Sequence, residues 1–138
     1  MTMTAAEVLD TIYSRMRQGD WDGVQAMLTD DFKVLEPESL PFGGVWEGKD
    51  ALQRLFPAVM QCFEDPAPVT KEVIGGKEWA SMIVDFTVTS KKTGERFTMT
   101  VSEVGRIEGE KLAELQIHYF DTAAMLAQIP DEMLGDKV

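Results

Sequence analysis

Residues 79–90 read Trp79-Ala80-Ser81-Met82-Ile83-Val84-Asp85-Phe86-Thr87-Val88-Thr89-Ser90. Ala80, Met82, Val84, Phe86 and Val88 alternate with Ser81, Ile83, Asp85 and Thr87, a period of two that predicts a strand with one apolar face. Lys92-Thr93-Gly94 turns the chain into a second such run, Arg96 to Ile107. Glu108-Gly109-Glu110 turns it again into Leu112 to Phe120. Upstream, Val69 to Ile74 leads to a Gly75-Gly76 turn. Turns this short join neighbouring strands that run in opposite directions, so residues 69–120 predict a largely antiparallel meander.

The amino-terminal half carries the other period. Ala5 to Gln18 places Val8, Leu9, Ile12, Tyr13 and Met16 on one helical face, with Thr4 and Glu7 spaced for a capping box and Gly19 as a stop. Asp20 caps a shorter helix bearing Trp21, Val24, Met27 and Leu28. The stretch from Asp30 opens as a short apolar strand that meets a carboxylate and is stopped by proline at Glu36-Pro37. A Pro/Gly loop follows. Lys49 to Phe63 predicts the clearest helix, with Leu52, Leu55, Phe56, Val59, Met60 and Phe63 on its inner stripe and Pro57 as a kink or early break. Asp65-Pro66-Ala67-Pro68 is expected to end the helical half. Asp121-Thr122 begins a last short helix through Gln128, and the tail from Pro130 is expected to be loosely held. Helices followed by a meander predict an α+β class, with helices against one face of a curved sheet. One domain is expected over residues 1–138, with its core at about 5–127.

Composition excludes several function classes. A formal net charge of -11 repels phosphate backbones and anionic lipid surfaces, so neither nucleic acid nor membrane is expected as partner. No run approaches the ~18 apolar residues of a membrane span, and the amino terminus lacks a basic, apolar signal pattern. Cys62 is the only cysteine, so no internal disulfide can form and a cytoplasmic setting is the default expectation. One histidine, one cysteine and no clustered ligand spacing predict no metal, and no Gly-rich phosphate loop or dinucleotide fingerprint predicts a cofactor. Nine methionines fit a soft interior or a pocket for a greasy ligand.

Three side chains stand out as catalytic candidates. Glu36 ends a strand, is held by Pro37 and is followed by an aromatic loop containing Trp46, a placement that suits the mouth of a pocket. Glu103 continues the apolar alternation Phe97, Met99, Val101, where a carboxylate costs several kcal/mol unless paired or protonated. His118 is the only histidine. If Ile107 pairs with Leu112, alternation puts Glu103, Gln116 and His118 on one face, and a one-residue slip throws His118 to the other. Asp121 reads most simply as a helix N-cap. Tyr13, Trp21, Trp46, Phe63 and Tyr119 are core-type residues, of which one or two lining the pocket is a fair expectation.

Four stretches give the chain a family likeness: Gly19-Asp20-Trp21-Asp22-Gly23-Val24, Asp30-Asp31 to Glu36-Pro37, Gly48-Lys49-Asp50-Ala51-Leu52, and Lys111-Leu112 to Tyr119-Phe120-Asp121. With their order along residues 5–127, they resemble the nuclear-transport-factor-2-like superfamily, the cone-shaped fold of ketosteroid isomerase and SnoaL-like polyketide cyclases. The resemblance implies a homodimer paired through the open sheet face. It places Glu36 at the isomerase's general base and Glu103 at its protonated, hydrogen-bond-donating acid; that isomerase is a worked example of a carboxyl group kept neutral by an apolar site. The sequence departs where the isomerase has its oxyanion-hole tyrosine, which aligns with Ile12 and leaves Tyr13 one residue away, and at a second pocket tyrosine, here Phe56. An epoxide-hydrolase-like alignment puts His118 at a catalytic aspartate but lacks the arginine, replaced by Ile83, so epoxide hydrolysis is not supported.

The function expected is cofactor-independent acid–base chemistry on a small apolar carbonyl compound, of cyclase or isomerase type. Glu36 or His118 would be the base and Glu103 or Tyr13 the donor to the developing oxyanion, with Trp21, Trp46, Phe56, Phe63, Met99 and Gln116 contacting substrate. The alternative is a non-catalytic small-molecule binder or dimerising accessory protein of the same fold; a third possibility uses the open sheet face for protein interaction.

Overall fold

The computed structural model describes residues 2–135. The amino-terminal helix α1 spans Ala5–Arg17, and its start is capped reciprocally: Thr4 accepts from the Glu7 amide while the Glu7 carboxylate accepts from the Thr4 amide. Such a cap is worth about 1 kcal/mol. Val8, Leu9 and Ile12 are fully buried along its inner face. After Gly19, whose positive φ of 71° favours glycine, Asp20 caps α2, Trp21–Gln25, by accepting from the Gly23 amide. Both caps match the sequence pattern, but α2 stops short of Met27 and Leu28, and Leu28 instead opens the following strand.

Six strands form one curled, unclosed sheet in the order β2-β1-β6-β5-β4-β3. These are β1 Leu28–Glu36, β2 Gly44–Glu47, β3 Phe63–Gly75, β4 Trp79–Ser90, β5 Arg96–Glu108 and β6 Lys111–Tyr119. All neighbours are antiparallel except β1 and β6, which run parallel. The pairing of β1 with β6 brings the early strand that ends at Glu36 beside the last strand of the meander. Helix α3, Ala51–Met60, buries Leu52, Leu55 and Val59, and α4, Thr122–Leu126, is capped by Asp121 accepting from the Ala124 amide.

Four expectations are corrected. The loop between Pro37 and Gly48 contains β2, which pairs with β1 from Lys33↔Glu47 to Glu36↔Gly44. Helix α3 is shorter than residues 49–63: Phe63 opens β3, and Phe56 is turned outward, 54% exposed. Asp65-Pro66-Ala67-Pro68 lies inside β3. Prolines are tolerated there because β3 is the sheet's edge strand, with a register shift between Glu64 and Ala67. Within the tail from Pro130, the described residues 131–135 are held rather than loose, with Leu134 nearly buried after a 3-10 turn at Asp131–Met133; the rest of that tail lies outside the described residues. Among the described residues no helix is long and apolar enough to cross a membrane.

Candidate active site

Curling the sheet around α1 and α3 leaves a cavity of about 390 Å³ on its inner face. Apolar groups dominate the wall: Leu55 and Val59 from α3, Met82 and Val84 from β4, Val101 from β5 and Ile117 from β6. Trp21, Phe56 and Phe86 add aromatic surface, and Met16 and Arg17 continue the wall along the end of α1. The size and apolar character suit a small organic molecule.

Two carboxyl groups from different strands meet this wall. Glu36 ends β1 on the inner face, 7% exposed. Tyr119, 83 residues away on β6, donates its hydroxyl to Glu36 Oε2 at 3.3 Å. Glu36 Oε1 is buried and has no partner among the described residues. Burial pushes the Glu36 carboxyl up to about 8; the Tyr119 hydroxyl offsets part of this, and the charge of Glu103 adds to it. Glu103 stands on the inner face of β5, paired with Met82 of β4 and Ile117 of β6. It keeps some accessible surface because it opens onto the cavity, yet lies deep among protein atoms, and burial pushes it up to about 7, less an opposing contribution from Tyr13.

The tyrosines complete the polar set. The Tyr13 hydroxyl faces Glu103 closely enough for the carboxyl's charge to act on it, but the contact is looser than a hydrogen bond and the oxygen is buried and unpartnered. Burial first, then the neighbouring carboxyls, hold the Tyr13 and Tyr119 hydroxyls well above their ordinary range, so both remain neutral donors. The arrangement is therefore two carboxyls raised toward neutral pH and two neutral phenols in a mostly apolar wall. Each unpartnered buried polar atom costs about 1–3 kcal/mol, a penalty that a ligand's polar group can relieve.

Of the residues singled out from sequence, Glu36, Glu103, Tyr13, Trp21 and Phe56 line the cavity. His118 and Gln116 do not. Ile107 does pair with Leu112, as anticipated, but a bulge follows and Arg106 pairs with Glu114. From there Val104 faces Gln116 and Ser102 faces His118, which sends both side chains to the outer face while Ile117 and Tyr119 point inward. His118 is exposed, with its Nε2 3.3 Å from Gln116 Oε1. Trp46 packs beside the core, donating Nε1–H to the Phe42 carbonyl under the Arg54 guanidinium. Phe63 is buried edge-on against Phe97, and Met99 is buried opposite Phe86; neither reaches the cavity. Tyr119, named from sequence only among core-type residues that could reach the pocket, lines the cavity and holds Glu36, a role that sequence reasoning did not give it. Its signal was the alternation Leu115, Ile117, Tyr119, readable once the inner face of β6 is known. Among the described residues no group of three or more His, Cys, Asp or Glu is gathered as a metal site would require.

Comparison with known proteins agrees with this architecture. The chain resembles a nuclear-transport-factor-2-like protein of unknown function from Burkholderia pseudomallei, with TM-score 0.77 and 23% identity over 92% of this chain and 98% of that one. A protein from Mesorhizobium loti assigned to the SnoaL-like polyketide cyclases is 28% identical over 85% of this chain and 100% of its own, with TM-score 0.61. A hypothetical protein of ketosteroid isomerase-like fold from Catenulispora acidiphila, solved with trimethylamine, has TM-score 0.70 and 12% identity over 94% and 98% of the two chains. No curated protein matches the sequence. The fold is the cone-shaped, nuclear-transport-factor-2-like α+β fold, the SnoaL-like domain profile matches residues 9–115, and the chain belongs to the SnoaL-like domain family.

Proposed function

We propose that the protein is a cofactor-independent acid–base enzyme that acts on a small apolar carbonyl compound. The observation that carries this reading is the pair Glu36 and Glu103 in one apolar wall, both held near neutral pH values by burial. With one proton between them, the pair holds a base and an acid at once. Glu36 holds its proton the more tightly, so the reactive form is the one in which that proton has passed to Glu103; the Glu36 carboxylate then takes a proton from the carbon beside the substrate carbonyl. The electron pair left behind moves onto the carbonyl oxygen, where neutral Glu103 and the Tyr13 hydroxyl donate hydrogen bonds. Returning the proton from Glu36 to a different carbon completes an isomerisation. Attack of the enolate carbon on a second carbonyl forms the new carbon–carbon bond of a cyclisation, with the proton delivered to the alkoxide. Tyr119 orients Glu36 through its 3.3 Å hydrogen bond. A likeness in fold to a structure holding trimethylamine supports a small-molecule cavity in general terms.

Solvent-deuterium uptake tests the reading directly. Apolar β,γ-unsaturated ketones and β-diketones incubated in D2O with the protein should exchange their activated C–H positions, followed by proton NMR. Glu36→Gln and Glu103→Gln should each slow exchange by about 100-fold, while His118→Ala should leave it unchanged. The wild-type rate should be bell-shaped in pH, with both limbs in the region of pH 7 to 8 set by the two carboxyls. Tight binding of such ketones without exchange would instead identify a non-catalytic binder.

A further inference from the structure

The five arginines of the chain are Arg15, Arg17, Arg54, Arg96 and Arg106. Four are engaged within the protein. Arg15 donates to the Gly23 carbonyl, Arg54 pairs with Asp50, Arg96 donates to the Asp65 carbonyl and Thr89, and Arg106 pairs with Glu108. Arg17 alone has no hydrogen-bond or ion-pair partner among the described residues, although the chain carries a net charge of -11 and offers carboxylates in excess. Among the described residues it is also the only basic side chain in the cavity wall. It sits in the last turn of α1, exposed, four residues beyond Tyr13 and one helical turn outward from it. Trp21 and the outward-turned Phe56 share that rim.

We propose that Arg17 is an anion-recognition point at the cavity mouth, so that the molecule held there is an apolar body with a carboxylate, sulfonate or similar anionic group at its outer end. The inference rests on the cavity being a small-molecule site, as in the proposed function. An unpaired guanidinium at the rim of an apolar wall offers planar, charge-assisted donors. Among the described residues, the rest of the cavity wall has no cation to offer an anion; its acids are carboxyls and its hydroxyls are those of Tyr13, Thr70 and Tyr119. An amphipathic acid would therefore enter with its anionic group at the rim and its apolar, carbonyl-bearing part beside Glu36 and Glu103. A cation in the last turn also suits the helix dipole, but that role leaves ligand selectivity untouched.

Two fluorescent probes of nearly the same shape separate these roles: anilinonaphthalene sulfonate, an anion, and phenylnaphthylamine, its neutral counterpart. Titrated near neutral pH, wild-type protein should bind both. Arg17→Gln should weaken the sulfonate about three- to tenfold and leave the neutral probe within about twofold, so that the ratio of affinities moves. Arg17→Lys should restore part of the sulfonate affinity. Equal loss of both probes, or loss of neither, would overturn the proposal while leaving the cavity reading standing. Binding of neither probe to the wild type would overturn the cavity reading and this inference with it.

Discussion

Glu36 is held where water solvates its anion poorly, and that has a consequence for stability. Its carboxyl stands at about 8 in the folded chain against an ordinary value of 4.5. The folded state therefore keeps a proton that the unfolded chain gives up above about pH 4.5. The associated stability is fully present below that pH and is lost as pH rises through 8. At about 1.4 kcal/mol per pH unit, the loss is on the order of a few kcal/mol. Glu36→Gln removes the ionisation and keeps an acceptor for Tyr119. The melting temperature of the variant relative to wild type should climb between about pH 5 and pH 8 and level off above that; an offset that does not change with pH would contradict the assigned burial. A variant stabilised in this way and inactive in exchange would show that the acid is retained for chemistry at a cost in stability. At this scale the sequence was informative where a residue broke a pattern. Glu36 stood out against its proline and Glu103 against its apolar alternation, whereas Tyr119 broke nothing and read as core.

Elements were legible where period and caps agreed, as in α1 and the β4–β5 hairpin, and illegible where neighbours decided the outcome. The bulge between Arg106 and Ile107 reverses which face His118 occupies, yet no proline or unusual residue marks it except Gly105. That glycine is close-packed: a Cβ there would lie 2.8 Å from Leu112 Cδ1 and 3.3 Å from Leu9 Cδ1. β2 is four residues long and exists because β1 offers a free edge. The Gly75-Gly76 pair reads as a turn, but its two glycines do different jobs. A Cβ on Gly75 would lie 2.8 Å from Ala6 Cβ and 2.9 Å from the Ala6 amide nitrogen, so this glycine lets the first turn of α1 rest on the end of β3. A Cβ on Gly76 would find its nearest atom, the Trp79 carbonyl oxygen, at 3.7 Å. Gly75→Ala should destabilise the protein by about 1–3 kcal/mol, since helix backbone must move. Gly76→Ala should stay within about 0.5 kcal/mol of wild type. Denaturant melts of the two variants decide this, and equal behaviour would remove the packing role given to Gly75.

At the scale of the whole molecule, the sheet has two unlike faces. The inner one, buried by α1 and α3, carries the site. The outer one carries cross-strand polar pairs, Ser81 with Ser102 at 2.7 Å and Thr87 with Thr98 at 2.8 Å, together with His118, Gln116 and the Lys71–Asp85 ion pair. Apolar Val69 and Ile74 are exposed along β3 at its margin. We propose that two copies pair through this outer face, an expectation carried by family resemblance. Charge sets how such a dimer must behave. Each copy brings -11, so association is opposed by repulsion that salt screens, over roughly 10 Å at 0.1 M ionic strength. The dimer fraction should therefore rise as sodium chloride increases from about 20 to about 300 mM, opposite to the trend of an interface held by ion pairs. Sedimentation velocity at micromolar protein measures it. Ser102→Glu adds a charge at the centre of the outer face while its neighbour Glu103 still points into the cavity; it should abolish dimers and leave binding of a neutral probe intact. A monomer at every salt concentration would remove the dimer, and a dimer indifferent to Ser102→Glu would move it to another face.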